Sequence, residues 1–217
     1  MAEPCILFGG TFDPVHRAHI ACALAVAERF APAVVDMLPN ATPPHRDTPM
    51  TDGEHRRAML ELACAGHPAL RVNDWELRQP GPSLMVNTLR HFREEIGDRP
   101  LCLLIGADSF ANLHRWVEWQ AYPALCHLLV APRPGAAGAT TEVIAAFPEL
   151  PQAAVLEQPA GGRLMLDAPL LDISATAVRQ QLAEKGDSPA LNRDVLEYIQ
   201  RHHLYNVPTL TQPDEDS

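Results

Sequence analysis

The sequence feature that most constrains this chain is a short apolar run that ends in two glycines and leads into a helix start with two histidines, residues 5–19. The run Cys5 to Phe8 is typical of a buried strand. Gly9 and Gly10 have no Cβ, so a ligand can approach their backbone closely. Alanines and leucines then predict a helix that ends at about Phe30. Such a strand, glycine turn and helix N-terminus form an anion site, because free N–H groups and the positive end of the helix dipole converge there.

Two histidines, His16 and His19, are predicted in the first turn of this helix. Side chains three positions apart lie on the same helix face, so both imidazoles would face the anion site. This arrangement indicates chemistry on a phosphate group. The alternatives are helix capping and a zinc pair, but an H-x-x-H pair alone is a weak zinc signal. Asp13, in the preceding turn, is predicted to be a turn and cap residue and not a metal ligand.

Composition and charge limit the classes of protein to which this chain can belong. The 217 residues carry a net charge of −10, which argues against a general nucleic-acid binder. No apolar run approaches the roughly 18 residues of a membrane span, and no secretory signal is recognisable. We therefore expect a cytoplasmic protein without nucleic-acid or membrane partners, with a single domain over 1–206 and a disordered acidic tail over 207–217. Five cysteines without a C-x-x-C pair predict buried, reduced thiols.

Strands alternate with helices along most of the chain. The predicted strands span residues 5–8, 34–38, 70–77, 101–105, 125–131 and 163–166. Residues 70–77 alternate between apolar and polar side chains, whereas most of the other strands are continuous apolar runs, typical of strands buried on both faces. Later helices are predicted over 53–65, from an N-cap at Ser83 to about 95, and over 174–185 and 194–203. The alternation predicts an α/β fold of the Rossmann-like, doubly wound type, with a mostly parallel sheet and helices on both faces.

Several glycines and polar residues follow directly after predicted strands. They are Gly9-Gly10, Asn40, Gly106 to Asp108, and Arg133. Ligands of open α/β sheets bind beyond the C-terminal ends of the strands. We therefore expect these residues to contribute to a single site.

The segment from Asn40 to Asp52 is polar and rich in proline. Because proline interrupts both sheet ladders and helices, the segment is predicted to be a loop. It is either a mobile surface connection or a lid that carries His45 and Arg46, since long loops beyond a strand often hold ligand contacts.

A second phosphate signal lies far along the chain, at residues 173–179. Ser174 is predicted to cap a helix, which directs hydroxyl and N–H groups towards an anion. Arg179 follows about one turn later and carries a planar positive fork that suits phosphate. Alone this signal is weak, because a serine cap followed by arginine is common on ordinary surface helices.

Two segments resemble the signatures of the nucleotidyltransferase superfamily. Residues 9–19 are similar to its G-G-T-F-D-P-x-H-x-G-H signature, and residues 173–179 are similar to I-S-S-T-x-x-R. Within the superfamily, further segments resemble the bacterial nicotinate mononucleotide adenylyltransferases: 39–40, 43–46, 105–109, Trp116, 133–135 and 204–205. The chain departs from the usual residues at Ala18, Ala175 and Leu84-Met85.

This resemblance implies the fold of an HxGH-type nucleotidyltransferase and adenylyl transfer from ATP to nicotinate mononucleotide. It implies catalytic roles for His16, His19 and Arg179. The implied ATP-binding residues are Gly9, Gly10, Thr11, Phe12, Gly106, Asp108, Ile173, Ser174 and Thr176. The implied mononucleotide-binding residues are Asn40, His45, Arg46, Ser83, Met85, Trp116 and Arg133. Mg²⁺ is implied as a cofactor that is held mainly by substrate phosphates, without protein ligands. The protein is expected to be a monomer or a homodimer.

Four alternative functions share some of these features. A phosphopantetheine adenylyltransferase or a cytidylyltransferase would carry the same signatures, but chain length, Trp116 and the 43–46 segment argue against both. A dinucleotide-binding oxidoreductase would need G-x-G-x-x-G after the first strand and an acid at the end of the second, whereas Asp36 lies inside its predicted strand. A non-catalytic nucleotide sensor would bind ATP without releasing pyrophosphate.

Overall fold

A computed structural model describes residues 3–41, 50–133, 135, 137–167 and 171–208 of the chain. The strands are β1 (Cys5–Gly10), β2 (Val35–Pro39), β3 (Leu70–Val72), β4 (Leu101–Gly106), β5 (His127–Ala131) and β6 (Arg163–Met165). The helices are α1 (Arg17–Arg29), α2 (Gly53–Cys64), α3 (Met85–Ile96), α4 (Ala107–Ala111), α5 (Tyr122–Leu125), α6 (Thr141–Ala146), α7 (Gln152–Glu157), α8 (Ala175–Lys185) and α9 (Arg193–Arg201). Short 3-10 turns lie at 76–78, 113–115, 119–121 and 204–206.

The strands form one parallel sheet in the order β3-β2-β1-β4-β5-β6. The chain begins in the middle of the sheet, runs to one edge through β2 and β3, and then returns to build the other half. This order confirms the predicted Rossmann-like, doubly wound fold. The order reverses between β1 and β4, which end at Gly10 and Gly106. A ligand site is expected in the crevice beyond these two strand ends.

A hydrophobic core lies on each face of the sheet, because consecutive side chains of a strand point to opposite faces. Ile6 is buried in one core, with residues of α1, α2, α8 and α9, whereas Leu7 is buried in the other, with residues of α3 to α6. In β4, Leu104 shares the core of Ile6 and Leu103 shares that of Leu7. Helices cover both faces, which explains why the strands are continuous apolar runs.

The third strand is shorter than predicted. The sequence predicts a strand over 70–77, but β3 ends at Val72, and Trp75 precedes the 3-10 turn at 76–78. The side-chain oxygen of Asn73 accepts a hydrogen bond from the N–H of Trp75 at 3.1 Å. Such a local side-chain bond competes with strand pairing, so the alternation of apolar residues after Val72 does not produce a strand.

Ser83 does not cap the helix that follows it, so this prediction is wrong. The N-cap of α3 is Leu84, and the helix begins at Met85. The Ser83 hydroxyl instead accepts a hydrogen bond from the main-chain N–H of Ala41 at 2.7 Å. The hydroxyl that the local pattern assigns to the helix N-terminus therefore accepts from a main-chain N–H 42 residues away in sequence.

The cysteines agree with the prediction, since all five are free. Cys22, Cys64, Cys102 and Cys126 are buried, and Cys5 is partly buried. Burial raises the pKa of the Cys5 thiol to about 12 and that of Cys22 to about 11, so both thiols are neutral. In the part of the chain that the structure describes, no helix has the length and apolar character needed to cross a membrane.

The C-terminal end of the described chain packs against the body of the protein. Val207 is partly buried against the core that contains Ile6. Residues 209–217 of the predicted tail lie outside the described residues, and the single domain over 1–206 stays a prediction.

Candidate active site

Two glycines allow the loop after β1 to fold tightly. A Cβ added to Gly10 would lie 2.9 Å from Cζ of Phe12, whose φ of 49° turns its ring back over the glycine. A Cβ added to Gly9 would lie 2.7 Å from Cε of Met85. At Gly10 the contact would force the aromatic ring to move, whereas at Gly9 the end of the flexible Met85 side chain could shift, so it is the close approach of Phe12 that requires glycine.

The two histidines of the first motif stack at the N-terminus of α1. His16 is the N-cap residue, and its ring centroid lies 3.7 Å from that of His19. The main-chain N–H of His16 donates to Nδ1 of His19 at 3.3 Å, so a neutral His19 carries its proton on Nε2. The ring of Phe12 meets His19 edge to face, with centroids 5.0 Å apart. These contacts hold the imidazoles in one orientation at the positive end of the helix dipole.

Burial controls the charge of His16. Its side chain is 6% exposed, and its Nδ1 has no hydrogen-bond partner among the described residues. Burial lowers the pKa of His16 to about 4, so the imidazole is neutral at pH 7. A neutral His16 ring can stack on His19 without charge repulsion, and a bound anion would raise the pKa of His16 again.

This lowered pKa predicts proton uptake when a phosphate anion binds. At about pH 5.5 the free protein holds His16 neutral, whereas a neighbouring pyrophosphate favours the cation, so up to about one proton should be taken up. The affinity for pyrophosphate should accordingly rise relative to that of His16→Gln as the pH falls from about 7 to about 5, because protonation of pyrophosphate itself affects both proteins alike. Calorimetry in two buffers of different ionisation enthalpy measures the uptake. His16→Gln is the control, and equal uptake by variant and wild type would contradict the prediction.

The second motif lies against the first. Arg179 of α8 donates from Nη1 to the main-chain oxygen of Asp13 at 2.8 Å and from Nη2 to Oγ1 of Thr176 at 3.3 Å. Ser174 caps α8, since its Oγ accepts from the N–H of Ala177 at 3.2 Å. The N-termini of α1 and α8 are therefore joined through the loop that contains Asp13. This juxtaposition is the one that the two sequence signatures lead us to expect.

Asp13 is buried, and both of its carboxylate oxygens are engaged. Oδ1 accepts from the hydroxyl of Tyr205 at 2.7 Å, and Oδ2 accepts from the main-chain N–H of Met50 at 2.9 Å. Burial and the neighbouring carboxylate raise the pKa of Tyr205, so its hydroxyl remains a donor. Asp13 thus binds two distant chain segments to the loop, in keeping with the turn role expected for it.

A buried arginine that the sequence interpretation missed supports the same loop. Arg56 of α2 is 1% exposed, and its guanidinium donates to the main-chain oxygens of Thr51 at 3.1 Å, Thr11 at 2.8 Å and Ala41 at 3.0 Å. Burial lowers the pKa of Arg56, and the nearby Asp13 opposes this shift. Helical periodicity contains a signal that could have identified it, because Arg56 lies three and four positions before the core residues at 59 and 60. A charged residue on an apolar helix face requires buried partners.

The ends of β4 and β5 contribute an ion pair. Arg133 Nη1 lies 2.5 Å from Oδ2 of Asp108, and each side chain is 49% exposed. The family resemblance assigns these residues to different substrates, and the structure brings them into contact with each other. Gly106 caps α4 and has open space where a Cβ would be.

The remaining predicted site residues have contacts of their own. Asn40 donates from Nδ2 to Oγ1 of Thr11 at 3.4 Å, and its buried Oδ1 has no partner among the described residues. Trp116 is partly buried and meets Tyr122 edge to face, with centroids 6.2 Å apart. Ile173 packs partly against the core that contains Ile6. His45 and Arg46 lie outside the described residues.

The described ranges of the chain show no metal-binding cluster of side chains. These residues contain no group of three or more histidine, cysteine, aspartate or glutamate side chains that could hold a metal ion. The carboxylate of Asp13, next to the anion site, is occupied by Tyr205 and Met50.

Comparisons with known proteins agree with this geometry. The cytidylyltransferase-like family profile matches residues 7–181, a span that includes both motifs. A curated relative from Yersinia enterocolitica, named "probable nicotinate-nucleotide adenylyltransferase", is 41% identical over 213 residues, which cover 92% of this chain and 94% of the relative. A relative of the same name from Idiomarina loihiensis is 36% identical over 204 residues, which cover 92% and 98%.

A solved structure shows the same fold. The Plasmodium falciparum nicotinic acid mononucleotide adenylyltransferase complexed with NaAD superposes with a TM-score of 0.75 and covers 95% of this chain and 98% of that one. Its sequence identity is 15%, so the likeness concerns the fold alone. The curated relatives supply the closer link through their high identity over almost the full length. The chain therefore belongs to the nicotinate-nucleotide adenylyltransferases, within the cytidylyltransferase-like family.

Proposed function

We propose that this protein transfers the adenylyl group of ATP to nicotinate mononucleotide and releases nicotinate adenine dinucleotide and pyrophosphate, a step of NAD biosynthesis. The observation that most supports this proposal is the contact between Arg179 and the main-chain oxygen of Asp13, three residues before His16. It joins two helix N-termini, two imidazoles and a guanidinium into one site with the charge and donors that a triphosphate requires.

The chemistry of the acceptor explains why the site needs no general base. A phosphate monoester has a second pKa of about 6, so its attacking oxygen is already anionic at neutral pH. The reaction is then an in-line attack on the α-phosphorus of ATP without a covalent intermediate. Catalysis consists of alignment of the two substrates and stabilisation of the charge that develops on the transferred group.

The ATP side of the site is formed by the two motifs. Nε2–H of His19 and the imidazole of His16 are proposed to bind the α-phosphate and the transition-state charge. Arg179, together with Ser174 and Thr176 at the start of α8, is proposed to hold the β- and γ-phosphates of the leaving group. The further ATP-binding residues that we propose are Gly9, Gly10, Thr11, Phe12, Gly106, Asp108 and Ile173.

The mononucleotide side lies beyond β2, β4 and β5. Trp116 is proposed to stack on the pyridine ring, and backbone N–H groups near Ser83 and Met85 to bind the carboxylate. Arg133, with His45 and Arg46, is proposed to meet the mononucleotide phosphate. Asn40 is proposed to contact the same substrate, since its Oδ1 is buried and can accept a hydrogen bond.

Mg²⁺ is proposed to enter with ATP, bound mainly through the substrate phosphates, where it would neutralise charge on the pyrophosphate. We further propose that the protein acts in the cytoplasm as a monomer or homodimer and has no nucleic-acid partner, in accord with its net charge of −10.

A comparison of acceptors tests the proposed function. We expect pyrophosphate to be released from ATP when nicotinate mononucleotide is the acceptor. Release with nicotinamide mononucleotide should be at least about 100-fold slower, because hydrogen-bond donors arranged for a carboxylate are left unpaired by the amide. Pyrophosphate release is the readout, with phosphopantetheine as the third acceptor. Turnover of phosphopantetheine without turnover of nicotinate mononucleotide would contradict the proposal. ATP binding without pyrophosphate release would instead support a sensor.

A further inference from the structure

The last described turn of the chain contacts the loop between β1 and α1, which contains Asp13. Tyr205, in the 3-10 turn at 204–206, is 5% exposed, and its hydroxyl donates to Oδ1 of Asp13 at 2.7 Å, across 192 positions of sequence. The turn packs against α8 and α9. The ring of Tyr205 is thus enclosed, and its only polar atom is directed at the loop between β1 and α1.

Asp13 connects this tyrosine to Arg179. The main-chain oxygen of Asp13 accepts from Nη1 of Arg179 at 2.8 Å, while its Oδ2 accepts from the N–H of Met50 at 2.9 Å. The side chain and the peptide oxygen belong to one residue, so the bonds that fix the carboxylate also fix the acceptor that Arg179 uses. The other described bond of this guanidinium, to Thr176 of the same helix, is longer, at 3.3 Å.

The chemistry of the contact favours a fixed geometry. A buried hydroxyl that donates to a carboxylate forms a charge-assisted hydrogen bond, which is stronger than a neutral one. The tyrosine ring has few rotatable bonds and is buried in the core that contains Ile6. Loss of this bond would leave a buried carboxylate oxygen unsatisfied and allow the loop to shift.

We propose that Tyr205 is a positioning residue for adenylyl transfer, which acts through Asp13 to set the guanidinium of Arg179 against the leaving pyrophosphate. The proposal rests on the proposed function. On this proposal the 3-10 turn at 204–206 supports the phosphate site, and Tyr205 acts through Asp13 without contacting the substrate itself.

A pair of matched variants tests this role. Tyr205→Phe removes only the hydroxyl, and Tyr198→Phe makes the same change on α9, where the hydroxyl contacts Nδ1 of His55 at 2.9 Å, away from the loop. We expect Tyr205→Phe to lower kcat about ten-fold, because small displacements of a catalytic group have large effects on rate. The KM values for both substrates should change less than about two-fold, the pattern of an interaction used in the transition state. Tyr198→Phe should leave kcat and both KM values within about two-fold of wild type.

The outcomes separate this proposal from a purely structural role and from the proposed function. An unchanged kcat in Tyr205→Phe, or equal losses in the two variants at equal folded fraction by circular dichroism, would overturn it. If Tyr205→Phe does not fold, Asp13→Asn is measured, since its amide keeps the shape but has only one acceptor oxygen for the hydroxyl of Tyr205 and the N–H of Met50. A kcat loss of about three-fold or more with unchanged KM would support the proposal, and an unchanged kcat would overturn it. An inactive wild type would refute the proposed function, and this inference with it.

Discussion

Replacement of His19 by alanine is expected to lower kcat by about 100- to 1,000-fold while the dissociation constant for ATP changes less than about five-fold. The physical reason is the position of the imidazole. It is stacked on His16 at 3.7 Å and oriented by Phe12, at the N-terminus of α1, where it can meet charge that develops only in the transition state. Ground-state ATP retains the remaining donors of the site, including Arg179, so binding should suffer less than rate.

Single-turnover kinetics and equilibrium binding of ATP measure the two quantities separately. His114→Ala is a suitable control, because this exposed histidine lies in the 3-10 turn at 113–115, outside both motifs. Equal losses in rate and in ATP affinity would show that His19 only docks the substrate. A folded-fraction measurement is needed for the variant, since the ring also packs against Phe12.

Replacement of Arg56 by methionine is expected to have the largest effect on stability, a loss of about 3–5 kcal/mol in the free energy of unfolding. The change leaves three main-chain oxygens without their donor, those of Thr11, Ala41 and Thr51, and removes the positive charge near the buried Asp13. Each buried acceptor that loses its partner retains its desolvation penalty. The midpoint of thermal unfolding should fall by about 10 °C.

The neighbouring residue provides a matched control for this measurement. Arg57→Met removes the same group from the same helix, but Arg57 forms salt bridges on the surface with Glu54 and Glu61. Exposed pairs contribute about 0–1 kcal/mol, so its midpoint should remain within about 4 °C of wild type. Similar losses in the two variants would show that the buried contacts of Arg56 are not special. Arg56→Lys should recover only part of the stability, because an ammonium group lacks the planar fork.

Local patterns predicted most of the fold. The apolar runs located the central strands because both faces of the sheet are covered, and Ser174 correctly marked the start of α8 through its capping chemistry. The strand over 70–77 and the cap at Ser83 were wrong for one reason. In each case a polar side chain accepts a main-chain hydrogen bond that apolar periodicity and cap preference do not report: Asn73 from the N–H of Trp75, two residues away, and Ser83 from the N–H of Ala41, 42 residues away.

The residue types at residues 9–19 and 173–179 are sufficient to indicate phosphate chemistry, because glycine turns, helix caps, imidazoles and a guanidinium carry their function in their own structure. Only the folded chain shows that Arg179 and Tyr205 both donate hydrogen bonds to Asp13, and that Arg56 donates to three main-chain oxygens. These contacts join residues that lie 5 to 192 positions apart. No periodicity reports such distances, since the partners of a buried polar group are chosen by packing in three dimensions.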